Sequence, residues 1–122
     1  MNAVLPDLDL FGIALAHNNY MRNTGDRKHT GWERRSELTT DLGFAPASYA
    51  ENLAFCECYL LEAVLEQERV VESIVNGWLD SKGHKENIEI ETHSRSGLAC
   101  SIAPCGADNR VLIYVTQIFA DR

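Results

Sequence analysis

VLIYVTQIFA, residues 111–120, is the stretch whose reading decides the fold. Successive side chains of a β-strand point to opposite faces of its sheet. Here both sets are largely apolar, with Val111, Ile113, Val115 and Phe119 on one face and Leu112, Tyr114, Ile118 and Ala120 on the other. A strand that is apolar on both faces must be covered on both. Just upstream, Gly97 to Ala103 alternates Leu98, Cys100 and Ile102 with small residues, and CGADN between the two runs supplies turn chemistry, so the spacing predicts a hairpin.

The covering layers have to come from earlier in the chain. From Asp7, the residues Leu8, Phe11, Leu15, Asn18, Asn19 and Arg22 fit an amphipathic helix ending near Gly25. Trp32 to Leu42 predicts a second helix, closed by Gly43. YAENLAFC, entered from Pro46 and Ser48, reads as a strand or an irregular segment entering the core. From Tyr59, the residues Leu60, Leu61, Val64, Leu65, Val71, Ile74, Val75 and Trp78 recur at helical spacing, and the polar patch Glu66 to Glu68 either splits that helix or marks its solvent side. Helices early and an antiparallel hairpin late give an α+β fold, a three-layer α/β/α sandwich whose small antiparallel sheet is covered by helices on both faces.

At 122 residues the chain has the size of a single domain, read here as spanning 1–122 without repeat or linker. Eleven basic against eighteen acidic residues give a net charge of -7, which repels phosphate backbones and anionic surfaces and argues against nucleic acid as a partner. No apolar run approaches the roughly 20 residues of a membrane span. The start, MNAVLPDLDLFGIALAHNN, has neither the cationic lead nor the small-residue cleavage site of a secretory signal. Four cysteines, Cys56, Cys58, Cys100 and Cys105, leave disulfides, buried thiols and a thiolate zinc site all open.

Three histidines are candidates for chemistry: His17 in the first helix, His29 in a loop, and His84 after a Ser-Lys-Gly turn. His93, in a polar stretch, reads as a solvated side chain. Glu51 lies in an otherwise apolar segment, where a carboxylate must be paired, hydrogen-bonded or facing a cleft. Its partner is either Arg34 or Arg35, as a buried ion pair, or an imidazole, whose tautomer an adjacent carboxylate fixes. Gln117, in an apolar strand, also needs a partner.

Taken in order, AHNNYM, KHTGWERR, YAENLAF, VVESIVNGWLDSKGHKENI, SGLACSI and YVTQIFA resemble the bacterial SCP-like extracellular branch of the CAP superfamily over about residues 11 to 120. The most specific pieces are Ala50-Glu51-Asn52, the Trp-x-x-Ser-x-Gly-His-x-x-Asn-Ile from Trp78 to Ile88, and the Tyr-x-x-Gln-x-Phe from Tyr114 to Phe119. The resemblance implies an α/β/α sandwich with a central cleft in which His29, Glu51 and His84 match the two histidines and the acid, and in which some members bind a divalent metal such as Zn²⁺. Ala50 replaces the usual glycine. Ser81, with Asp80 adjacent, stands where many eukaryotic members carry a second acid. Asn52 and Asn87 correspond to structural asparagines. The family's first helix, with its Asn-x-x-Arg signature, is not recognisable before Leu8, an omission that would expose a core face and favour a partner or a homodimer.

Two functions follow as expectations. One is an extracellular or periplasmic binding module, requiring no cofactor, that presents the cleft of His29, Glu51, Ser81 and His84 to a lipid, glycan or protein; its location is implied by the resemblance alone. The other is a metal-dependent hydrolase or peptidase, with His29 and His84 holding the metal and Glu51 as catalytic base. A third possibility is that the cluster is only a hydrogen-bond network closing the sandwich. No Gly-x-Ser-x-Gly or recognised catalytic cysteine signature supplies a nucleophile.

Overall fold

The structure, a computed structural model, describes residues 4–89, 93–106 and 108–122. The first short strand, β1 (Leu5–Pro6), leads into helix α1 (Leu8–Thr24) and then α2 (Trp32–Asp41). Strand β2 (Ala50–Tyr59) follows, then helices α3 (Leu60–Leu65), α4 (Gln67–Leu79) and α5 (Lys82–Glu89). The hairpin β3 (Arg95–Pro104) and β4 (Arg110–Ala120) closes the fold; Ala107 of its turn lies outside the described residues.

The four strands form one sheet in the order β1-β3-β4-β2. β4 is central, pairing antiparallel with β2 from Ala50↔Phe119 to Tyr59↔Arg110 and with β3 from Arg95↔Ala120 to Pro104↔Val111. The expected all-antiparallel sheet is corrected at its edge: β1 pairs parallel to β3, with Leu5 N–H donating to Ser94 C=O at 3.0 Å and Asp7 N–H to Ser96 C=O at 3.0 Å. Two residues are too few to show a strand period in sequence.

Both faces of β4 are buried, as its sequence predicts. Val111, Ile113 and Val115 pack with Cys58, Trp78, Ala63, Val70 and Ile74 beneath α3 and α4. On the other face Leu112 and Tyr114 pack with Met21 of α1, and Ile118 and Ala120 with Leu10 and Ala14. Side chains across the middle strand are thus buried between helical layers, as an α/β/α sandwich requires.

Local chemistry sets the helix ends. Asp7 caps α1, its carboxylate accepting from the N–H groups of Asp9 at 2.9 Å and Leu10 at 3.1 Å. The Glu66 patch does divide the long apolar pattern, separating α3 from α4. Around His84 the sequence predicts only a turn, yet residues 82–89 wind into α5 through Gly83. Its hold on β2 explains this: Asn87 Nδ2 donates to Glu51 C=O and Asn52 Oδ1, and Asn52 Nδ2 donates to His84 C=O. Tertiary anchoring of this kind overrides a weak local propensity.

All four cysteines are free thiols. Cys56 and Cys58 share the α4 face of β2, whereas Cys105 packs on the α1 side.

Candidate functional site

The site grows from the start of β2 and the loop before α2. Gly31 enters α2 at a φ of 82°, a left-handed conformation that favours glycine, and a Cβ there would lie 3.3 Å from an Arg35 guanidinium nitrogen. That turn directs backbone carbonyls at the same guanidinium: Arg35 donates to Thr30 C=O at 2.7 Å and to His29 C=O at 3.1 Å. Its remaining N–H groups make a forked pair with Glu51, Nε to Oε1 at 2.8 Å and Nη2 to Oε2 at 2.8 Å.

Two further donors complete the carboxylate. His29 Nδ1 donates to Oε2 at 2.6 Å, and the Tyr49 hydroxyl donates to Oε1. Glu51 therefore accepts four hydrogen bonds, the full capacity of an ionised carboxylate. Its side chain is only 4% exposed, against 48% for His29. Burial alone would raise the Glu51 carboxyl, but the bonds donated by Arg35, Tyr49 and His29 outweigh it and hold the group below the usual carboxylate range. For Arg35, burial favours loss of the proton and the Glu51 carboxylate more than restores it. Burial, then the charge of Glu51, pushes the Tyr49 phenol well above its usual value. All three groups stay locked in one protonation state near neutrality. His29, Trp32, Tyr49, Ala50 and Glu51 line an open cavity of about 330 Å³, with Trp32 half exposed at its rim.

His84 stands in a second, adjoining group. Its Nδ1 lies 2.9 Å from Ser81 Oγ, its ring is tilted over Trp78 at 6.5 Å, and burial, with His29 as a lesser cause, lowers its basicity. The structure thus brings His29 to Glu51 and Ser81 to His84, and among the described residues Asn52 and Asn87 link the two pairs by hydrogen bonds. Both asparagines bond backbone, the role read from the resemblance. Neither Ser81 nor His84 lines the His29 cavity. Among the described residues no group of three or more His, Cys, Asp or Glu side chains is placed to hold a metal ion.

The alternatives weighed for Glu51 turn out to be simultaneous: it pairs with Arg35 and with His29. Sequence reasoning misses Tyr49, although its position two residues before Glu51 puts both on one side of an extended segment. His17 is buried away from this cavity, donating from Nε2 to Lys28 C=O at 2.9 Å. His93 corrects its reading as solvated: it is 4% exposed and stacked on Phe119 at 5.2 Å, with neither ring nitrogen bonded among the described residues.

The sequence profile of the Cysteine-rich secretory protein family (CAP) matches residues 1–119. No curated protein sequence matches the chain. Among solved structures, the chain is similar to an outer surface protein from Borrelia burgdorferi, with a TM-score of 0.62 at 18% identity. The match covers 100% of this chain and 80% of that one, a likeness of fold.

Proposed function

This chain belongs to the CAP family, and on that premise we propose that it is a non-catalytic binding module whose ligand sits in the cavity walled by His29, Trp32, Tyr49, Ala50 and Glu51. The observation that carries this reading is the saturation of Glu51. A general base needs a lone pair free to take a proton and a pKa near the working pH. Glu51 has neither, since four donors occupy it and its carboxyl lies below the ordinary range. Its role in this reading is to fix one wall of the cavity.

Of the ligand classes lipid, glycan and protein, a glycan suits the rim. The half-exposed Trp32 indole offers a flat apolar surface, and His29, with Nδ1 committed to Glu51, presents Nε2 as a hydrogen-bonding edge. The secretory family name and the surface location of the Borrelia protein support an extracellular or surface location. We also read α1 as the family's first helix, because Asn19 to Arg22 carries its Asn-x-x-Arg spacing. Titration with soluble oligosaccharides, followed by tryptophan fluorescence, tests the module. A saturable change lost in Trp32→Ala is expected. Hydrolysis of a peptide or ester by the wild type, abolished in a folded Glu51→Gln, would overturn it.

A second reading, divalent-metal binding, rests on the two imidazoles. Each engages Nδ1 within the protein, His29 with Glu51 and His84 with Ser81, the arrangement in which Nε2 is left to a metal. A catalytic zinc centre takes three protein ligands, and the described residues do not supply them. The donor set fits at most a two-imidazole site without a hydrolytic role. Calorimetric titration with Zn²⁺ tests it: micromolar binding lost in the His29→Ala, His84→Ala double variant would establish the site, and no heat from the folded wild type would dismiss it.

A further inference from the structure

The sheet's two edges are finished differently. At β2 the outward carbonyls of Glu51 and Leu53 are taken by Asn87 Nδ2 at 3.2 Å and Trp78 Nε1 at 2.9 Å. At β3 the outward carbonyls of Ser94 and Ser96 go to β1, which ends at Pro6 where Asp7 turns to cap α1. Backbone groups of an antiparallel strand alternate in direction. Leu98, Cys100 and Ile102 therefore send their N–H and C=O groups to the same outer side as Ser96, past the end of β1, where no described residue meets them.

The side chains along this stretch match an open edge. Leu98 is 53% exposed, Ile102 46%, and Cys100 is exposed between them. No charged residue lies between Gly97 and Cys105 and the pairing with β4 runs without a bulge, so from Leu98 to Ile102 neither device blunts the edge; the proline that does stands beyond them, at Pro104. At the β1 end the edge runs into a cavity of about 560 Å³, lined by Pro6, Leu8, Phe11, Leu98 and Phe119 together with Gln117. The Gln117 Oε1 is buried there with no partner among the described residues, an acceptor awaiting a donor.

We propose that β3 from Leu98 to Ile102 is a strand-addition site for an extended peptide, which pairs with the outward backbone and seats one apolar side chain in the Leu8, Phe11, Leu98, Phe119 cavity. Main-chain pairing plus a terminal pocket is the physical basis of β-augmentation, in which the ladder gives affinity and the pocket gives specificity. The protein's charge of -7 selects a neutral or basic peptide over an acidic one. The site lies at the opposite edge of the sheet from His29 and Glu51, so it stands or falls independently of the cleft.

Selection from a displayed library of random linear peptides, with the winners followed by amide NMR, tests this. Enriched peptides should carry alternating apolar residues and shift the amides of Leu98, Cys100 and Ile102. Methylating the peptide's backbone nitrogens should abolish binding. Cys100→Pro, which removes an outward N–H without breaking a bond to β4, should weaken binding at least tenfold while its circular dichroism matches wild type. If Cys100→Pro does not fold, Ile102→Lys is the second variant, with the same expected weakening. Failure to enrich any peptide, shifts confined to other amides, or equal affinity of the methylated peptide would overturn the proposal. So would a dimer, seen by sedimentation without peptide, that already protects these three amides.

Discussion

Glu51 keeps its charge in a nearly dry site because four donors compensate for the lost water. Removing that charge leaves Arg35 buried and unpaired, and breaking a buried pair costs about 3 to 5 kcal/mol. Glu51→Gln should lose stability of that order in urea unfolding. The sign with pH follows from its depressed pKa: its contribution is full above the unfolded carboxylate value of about 4.3 and drains away as pH falls through the folded value. His93 acts in a different window. Burial lowers its pKa, the nearby Asp121 opposing, so on acidification the unfolded chain binds the proton first. Stability should therefore fall as pH drops below about 6.5, and His93→Phe should flatten that limb in thermal melts from pH 7 to 5. Sequence exposed Glu51 because its neighbours are apolar, and alternation would have added Tyr49. It could not expose His93, whose burial depends on Phe119, far along the chain and brought alongside by the fold.

Elements were legible where a period or a cap marked them. The two apolar faces of β4 and the Gly25 end of α1 follow from local pattern, whereas the patch at Glu66 is compatible with either a break or a solvent-facing side and only the structure shows the break. α5 and β1 were not legible, because one depends on Asn87 reaching β2 and the other on two residues meeting β3. Where α1 crosses β3 there is no room for a side chain at Gly97. A Cβ on Gly97 would lie 2.2 Å from the Leu10 carbonyl carbon and 2.2 Å from the Phe11 nitrogen, both backbone atoms that cannot rotate away. Gly97→Ala should destabilise by about 3 kcal/mol, the upper range for overpacking, and thermal unfolding measures it. Asp7→Ala, which removes the cap together with a 3.6 Å ion pair to Arg122, should cost about 1 kcal/mol in the same assay.

At the scale of the whole molecule, one sheet carries a polar clamp at its β2 edge and, from Leu98 to Ile102 of its β3 edge, backbone groups with no partner among the described residues. The sandwich could be read from the two apolar faces of β4 and the helical patterns before it, whereas the finish of each edge could not, since it depends on which side chains reach outward carbonyls. The clamp is held together by hydrogen bonds among Arg35, His29, Tyr49 and Glu51, so a chelator such as EDTA should leave the melting temperature unchanged. Glu51 is proposed as a hydrogen-bond-saturated wall of a binding cavity, ionised at neutral pH. Titration of its side-chain carboxyl by ¹³C NMR tests this most directly. A midpoint below the ordinary carboxylate value of about 4.3 is predicted, and a midpoint near neutrality, where a general base would have to titrate, would contradict the account.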